Sequence, residues 1–415
     1  MTERLYYSDS FLYEFDATVV DVVQRDGRSA VVLDRSAFYP TSGGQIHDVG
    51  ELETGRSPSL PVSDVAEDED SGTVFHFVEG SPPAKGTGIH GKVNVARRRE
   101  HMQQHTGQHV LSAAFEKLFD MPTVSFHMGA ETCTIDLQTI DLEGKSLAPT
   151  QLEKAGVMAN EVVLDDRPVS ITFATPDEAK LRNVRKLPPL KAGQQKLRLI
   201  DISDFDLNAC GGTHVQRTGQ IGVILLRKLE KVKQGFRVEF VCGARAVAIA
   251  QRDYAALTDA AGKLSTHIYE LPQQIVKQAD EAKAAAKGQQ KLLEELAALH
   301  ADKLLAETPA TNGFRLIAQV LPDRSAEFAK FLAHKLTADA QRKAVALLAS
   351  TAGPPTVIFA CTAGGDLNMG TLLKDAVTAR GGRGGGSKEM AQGGVPSAAD
   401  AESALEEIAT RLRGT

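Results

Sequence analysis

The sequence predicts an α+β protein in four parts: an N-terminal small β-barrel, an α+β domain with a potential metal site, a helical hairpin and a C-terminal α/β domain. Three observations carry this. Short β-branched runs separated by glycine turns fill residues 1–90. Helix-like and strand-like periodicities then mix over 91–244. A stretch rich in Ala, Glu, Lys and Leu over 245–307 precedes a last unit, 308–415, in which strand-like and helix-like segments follow one another.

In the first part, ATVVDVVQ and SAVVLD read as strands joined by the turn Arg25-Asp26-Gly27, and TVFHFVEG alternates in the same way. The acidic run AEDEDSG between strands reads as a solvated hairpin loop. In the second part, Val110, Leu111, Ala114, Phe115 and Leu118 recur at helical spacing. TCTIDLQ, VSITFAT and KLRLIDI read as strands, and SLAPTQLEKAGVMANEVVLDD reads as a helix capped by Ser146 or Thr150. GVILLRKLEKV and FRVEFVCG pair as a hairpin around Lys233-Gln234-Gly235. In the third part, Leu292, Leu293, Leu296, Leu299 and Leu304 form an apolar stripe, and Leu271-Pro272 breaks the helical run into a hairpin. In the last part, FRLIAQV and PTVIFACT read as buried parallel strands, with helices RSAEFAKFLAHKL and DAQRKAVALLAST between them. GGRGGGSKEMAQGG reads as a flexible loop, and a terminal helix starts at Ala398.

The composition bounds the function. The 415 residues suffice for two to four cores, and 42% hydrophobic with 24% charged content is ordinary for a globular chain. A net charge of -6 argues against a general nucleic-acid coat, although local basic patches still permit RNA contact. Cys133, Cys210, Cys242 and Cys361 are scattered, so no disulfide framework is expected. The N-terminus lacks a signal-peptide core and no apolar run reaches about 18 residues, so no membrane span is expected and cytoplasm is the default.

The chemistry concentrates in two segments. His105 and His109 in HTGQHVLSAAF are four apart and share one helix face. Cys210 and His214 stand in CGGTHV, a glycine-bent loop. Three imidazoles and a thiolate suit one tetrahedral zinc ion. Spacing alone leaves zinc and ordinary buried or surface histidines about equally supported. Asp204 and Asp206 in SDFDLNAC are candidates to orient the ligand histidines.

These segments resemble the editing region of alanyl-tRNA synthetase and its free-standing relatives, the AlaX family. LDRSAFYPTSGGQIHDVG, RVEFVCG and GGRGGGSKEMAQGG are similar to further family motifs in the same order, spanning residues 33 to 394. The zinc loop is shared with threonyl-tRNA synthetase editing domains, and the glycine-rich tail points to the alanine system. Too few residues precede Leu33 for an aminoacylation domain, so the resemblance implies a trans-editing protein: the long AlaX form, with a zinc editing domain over 91–244 and a synthetase-like C-terminal domain over 308–415. The implied reaction is hydrolysis of the ester between a wrong amino acid, serine and secondarily glycine, and the 3′ end of tRNA for alanine.

An apolar pocket rejects serine's extra hydroxyl only about a hundredfold, so a second site that hydrogen-bonds that hydroxyl is needed. Thr41 and Gln45, with Thr106 and Gln108 behind them, are the candidate catalytic and hydroxyl-reading residues. Gly43 and Gly44 would let backbone N–H groups approach the substrate. His47, Asp48, His101 and His127 are further polar candidates near the ester. Arg97, Arg98, Arg99, Arg182, Arg185 and Lys186, with Arg383 and Lys388 in the glycine-rich segment, are candidate phosphate contacts. A four-ligand zinc is closed and would shape the pocket, whereas an open position would activate water; the four-ligand set favours the former. The helical stretch reads equally as an intramolecular arm or a dimer seam, and the resemblance allows a homodimer through it or through the C-terminal domain. The alternative is a tRNA-binding protein with an inactive editing site. Editing of threonine tRNA is disfavoured by the glycine-rich tail, and no Asp-His clusters of a two-metal phosphodiesterase are seen.

Overall fold

The computed structural model describes residues 2–55, 58–68, 70–138, 147–188, 195–233, 235–311 and 313–414. The chain packs as two compact units, Met1–Asp259 and Ala260–Thr415.

The first unit opens with a six-stranded closed barrel. Its neighbours run Glu14–Arg25, Arg28–Leu33, Val74–Val78, Leu60–Glu67, Gly50–Glu53 and Gly88–Val93. Strand alternation drives closure: Phe15, Ala17 and Val19 point inward while Asp16 and Thr18 face water. The first hairpin turns through Asp26 and Gly27, both in the left-handed region at φ 52° and 72°, so Arg25 pairs with Arg28. The acidic run read as a solvated loop begins inside the strand Leu60–Glu67, where the nearly buried Glu67 pairs with Arg4, and only its later part lies in the connection to Val74–Val78; Glu69 is outside the described residues.

Asn94 caps the helix Val95–Phe119 by accepting from Arg97 N, and Asp120 ends it in the left-handed conformation. Around it pack two antiparallel sheets and the helix Pro149–Leu164. One sheet runs Ile224–Val232, Gly235–Cys242, Cys133–Gln138, Thr123–Met128; the other runs Val169–Ala174, Leu197–Ile202, Asp206–Ala209. Thr123–Met128 and Asp206–Ala209 are strands that the sequence reading did not assign. The predicted hairpin pairs Val232 with Gly235, and Gln234 is outside the described residues. The helix Pro149–Leu164 takes Ala148 as its cap, with Pro149 at its first turn. Thr150 therefore lies inside the helix rather than capping it, and Ser146 falls outside the described residues.

Residues 245–307 hold the end of one helix, Gly243–Lys263, and a second of 37 residues, Leu271–Glu307, with Pro272 in its first turn. The predicted leucine stripe is only half right. Leu293 and Leu304 pack on the core with Ala297, Ala301 and Leu305, whereas Leu292 and Leu299 are exposed. Alanines let the helix approach its neighbour closely, so the buried face runs through them rather than through every leucine.

The second unit contains a five-stranded sheet ordered Arg315–Leu321, Ala344–Ser350, Thr356–Cys361, Met390–Gly394, Arg383–Gly386. Two expectations are overturned here. DAQRKAVALLAST, read as a helix, supplies the interior strand Ala344–Ser350, buried at every position. A strand covered on both faces loses its alternation and reads as a continuous apolar run, which helix formers such as Ala and Leu disguise. That strand pairs parallel with Arg315–Leu321 and antiparallel with Thr356–Cys361, so the two strands expected to be parallel are not. GGRGGGSKEMAQGG, read as a flexible loop, forms an edge hairpin in which Gly384 faces Gly393. Side chains there would meet the opposite backbone or Leu373. The helix Ala326–Thr337 and the terminal helix Ala398–Arg413 stand where the sequence places them. No helix among the described residues is long and apolar enough to cross a membrane.

Two stability predictions follow from buried polar groups in the first unit. His76 is fully buried in the barrel; burial lowers its pKa from 6.5 to about 4, although its hydrogen bond to Val31 O opposes this. Below pH 6.5 the unfolded chain takes up a proton that the folded barrel refuses, so stability present above that pH is lost as pH falls toward 4. The loss is at most about 3 kcal/mol, and His76→Gln should flatten that part of a melting-temperature profile against pH. An unchanged profile would contradict the assignment. The second prediction concerns Arg98 and Asp48, both 0% exposed and ion-paired at 2.5 Å. Asp48→Ala should destabilise the protein by about 3–5 kcal/mol in urea unfolding, because it leaves a guanidinium buried without its counter-charge.

Candidate functional site

The histidine helix presents His105 and His109 inward, and the loop after Asp206–Ala209 brings Cys210 and His214 against them. One ligand atom from each of the four lies within 4.8 Å of all the others. Cys210 Sγ is 3.4 Å from His105 Nε2 and 3.4 Å from His214 Nε2. The ring centroids of the three histidines are 4.5 to 5.3 Å apart.

Each imidazole is oriented by a partner at its other nitrogen. His105 Nδ1 donates to Gln45 Oε1 at 2.7 Å, and its ring stacks on Phe126. His214 Nδ1 is 3.2 Å from Thr106 Oγ1. His109 Nδ1 faces the Asp206 carboxylate at 3.6 Å. Nε2 of His105 and of His214 is thereby left facing the sulfur, the side from which each imidazole would hold a metal. The donor set and its outer contacts fit a tetrahedral N₃S metal such as zinc.

Asp206 is held in turn by Arg185, whose Nε and Nη2 donate at 2.7 and 3.0 Å. Burial pushes the Asp206 carboxyl up, but His109 and Arg185 outweigh this and hold it at about 2. Gly212 is required by space: a β-carbon there would collide with the His105 ring and sit 2.9 Å from Gln45 Oε1. Arg198 clasps the loop, donating from Nη1 to Cys210 O at 2.7 Å and Gly212 O at 2.9 Å, and from Nε to Tyr7 O at 2.9 Å. Ser10 Oγ accepts from His214 N at 3.2 Å. The N-terminal segment is thus tied to the metal loop at two points.

A cavity of about 380 Å³ opens directly on this cluster. Tyr6, Tyr7 and Tyr39 line one side with Arg4 and Glu67; Phe173, Lys196 and Arg198 line another; His105, Cys210, Gly211 and Gly212 are also in its wall. Arg4 donates to Tyr7 Oη and pairs with Glu67.

The sequence-predicted residues divide sharply. Gly43 lines the cavity beside Ser42 and Pro40. Gly44 lies against Phe126, where any β-carbon would clash with the backbone. Gln45 is 0% exposed and wholly engaged, since Oε1 also accepts from Thr213 N and Nε2 donates to Thr213 Oγ1. Both ends of its amide are thus engaged by His105 and Thr213. Thr106 is likewise committed to His214 and Val215 N, and Gln108 to Ser112. Thr41 is exposed, contacts His47 at 3.1 Å and is not in the cavity wall.

Asp48 is not a pocket wall, because it lies buried under Arg98. Arg98 and Arg185 are not free phosphate contacts: both are consumed by internal carboxylates. Arg97 donates to His47 O, Arg99 to Tyr13 Oη, and Arg182 to Thr172 Oγ1. Lys186, Arg383 and Lys388 are exposed. Asp204 is exposed at a turn, leaving Asp206 as the carboxylate beside the cluster. His101 is buried with neither ring nitrogen bonded; burial, then Arg97, Arg245 and Arg98, push its pKa to about 3 and keep it neutral. His127 is exposed.

Residues the sequence reading missed are Arg198, Ser10, Thr213, Phe173 and the three tyrosines. Arg198 left a signal: the one cation inside the strand LRLIDI, which is apolar apart from it and Asp201. The others are ordinary in sequence and acquire meaning only by convergence.

Three regions of the chain match known family models. Residues 197–238 match the threonyl and alanyl tRNA synthetase second additional domain, 313–414 the DHHA1 domain, and 3–97 the class II (A) tRNA synthetases. The alanine--tRNA ligases of Archaeoglobus fulgidus and Halorubrum lacusprofundi are 30% and 32% identical over 98% and 99% of this chain, which spans 44% of each ligase. The C-Ala domain of Aquifex aeolicus alanyl-tRNA synthetase aligns at 21% identity over 26% of this chain and 99% of that domain, with a TM-score of 0.24. The alanyl-tRNA editing protein AlaX-L of Pyrococcus horikoshii is 30% identical, covering 100% of both chains. The chain therefore belongs to the alanyl-tRNA editing protein family of the AlaX-L kind.

Proposed function

We propose that this chain hydrolyses the ester joining serine, and secondarily glycine, to the 3′ end of tRNA for alanine. The observation that carries this is the cavity opening on His105 and Cys210, polar at its floor and aromatic along one side. Such a site can hold an esterified terminal adenosine with its acyl group toward the cluster. His105, His109, Cys210 and His214 would hold one zinc ion. When bound, zinc supplies positive charge beside the ester and fixes the loop that forms the cavity floor.

This chain's own residues do the rest. Gln45, Thr106 and Asp206 set the direction of the three imidazoles, and Arg198 holds the loop carbonyls. Ser42 and Gly43, which line the cavity with Tyr39 and Pro40, would meet the acyl group in the role first expected of Thr41 and Gln45. The exposed Lys186, Arg383 and Lys388 would meet tRNA phosphates. Exposed Leu292, Leu296 and Leu299 offer the long helix as a seam for a second copy of the chain.

Incubating the purified protein with seryl-, glycyl- and alanyl-tRNA for alanine tests the activity. Seryl ester should be lost at least about a hundredfold faster than alanyl ester. Ester loss no faster than in buffer would leave only a tRNA-binding protein with an inactive site. Cys210→Ala should abolish stoichiometric zinc and most hydrolysis together; full activity without metal would end any part for zinc.

The outer contacts give a separate expectation. Gln45→Leu removes the acceptor for His105 Nδ1 and should weaken zinc retention about 10–100-fold in chelator competition. Retention equal to the unsubstituted protein would show that Gln45 does not orient the ligand.

A further inference from the structure

We infer that Phe173 is a base-stacking platform at the cavity mouth, with Lys196 beside it to meet a backbone phosphate. Together they would receive the penultimate nucleotide of a single-stranded 3′ end. The inference rests on reading the cavity as the site of an esterified tRNA end.

Strand register carries the argument. Val169–Ala174 is the edge strand of its sheet, and Phe173 is the direct antiparallel partner of Arg198. Directly opposed residues project from the same face of a sheet. Lys196 stands at the bend just before the strand Leu197–Ile202, two positions from Arg198. All three line the cavity that holds His105 and Cys210. The opposite face carries the small core of Ala174, Leu197 and Leu199. Phe173 belongs to none of the hydrophobic clusters among the described residues, and it is 47% exposed.

Depth then orders the nucleotides. Arg198 is 7% exposed and its Nη1 grips the metal loop, so this end of the face lies deep. Phe173 and the exposed Lys196 lie at the rim. An ester that reaches Cys210 places its own nucleotide inside the cavity and the preceding one at the rim. A half-exposed aromatic ring and an exposed cation on the wall of one cavity are the pairing that single-stranded nucleic acid uses, because every base has a stacking face and every linkage a phosphate. Single exposed aromatics elsewhere, such as Tyr269, lack both the cavity and the register.

The test uses the full-length protein and an uncharged acceptor-stem RNA minihelix ending in CCA, with 2-aminopurine in the penultimate position. Binding should quench the fluorophore by stacking. Phe173→Ala should weaken binding about tenfold and remove the quenching, and Phe173→Trp should restore both. Lys196→Ala should weaken binding and lower the salt slope by about one. With seryl-tRNA, the Phe173→Ala loss should fall on KM. Phe173 is exposed, so the substitution should leave the thermal melt unchanged, and a matched melt confirms that a folded protein is compared.

Undiminished binding and quenching in Phe173→Ala would overturn the platform. The two readings fail separately. Ester hydrolysis with no Phe173 effect sinks the platform and leaves the deacylase. Phe173-dependent stacking with no hydrolysis sinks the deacylase and leaves the platform.

Discussion

The buried ion pair of Arg98 with Asp48 is the constraint on which the site depends. Arg98 stands on the histidine helix, two turns before His105, and its guanidinium also reaches Ala37 O and Ser10 O. Asp48 accepts from Tyr39 N as well, so the whole FYPTSGGQ segment is hung from one helix position. Two fully buried charges tolerate no slack: any separation exposes each to a low-dielectric interior without its partner. The barrel is thereby keyed to the helix, and Gln45 arrives within hydrogen-bond reach of His105 by consequence.

Around the cluster the chain spends polar side chains on direction rather than on display. Gln45, Thr106 and Asp206 look, in sequence, like groups that would face a substrate. In the fold each contacts an imidazole nitrogen, and Arg185 is spent on Asp206. Imidazole has two competing nitrogens, and only an outer partner decides which one is left for a metal. The groups left to face a ligand are fewer and plainer: a serine, glycines, aromatic rings, and cations at the rim. That division favours binding a large, partly aromatic molecule over chemistry by a single activated side chain.

The second unit applies a different economy to glycine. GGRGGGSKEMAQGG looks like a tether, yet it forms an edge hairpin against which the helix Met369–Thr378 packs through Leu373. Absence of side chains on the facing strands lets backbone and helix approach at distances no β-carbon would allow. The segment is therefore an ordered surface that presents Arg383 and Lys388, not a flexible arm.

Much was legible in one dimension. Three of the six barrel strands, the histidine helix, the hairpin ending in FRVEFVCG and the four potential ligands follow from alternation, helical spacing and donor chemistry, which are local properties. The misreadings share one physical origin. AVALLAS carries no alternation because both faces are covered, and the glycine hairpin carries no pattern because its information lies in the space it leaves empty. Likewise, whether Arg98, Arg185 or Gln45 meets a substrate or the interior depends on partners about 20 to 170 positions away, which no local propensity encodes. Residue types and periodicity determined which elements form and which atoms are available to a metal. Only tertiary packing decided which of those polar groups were consumed in holding the site together and which were left open to a ligand.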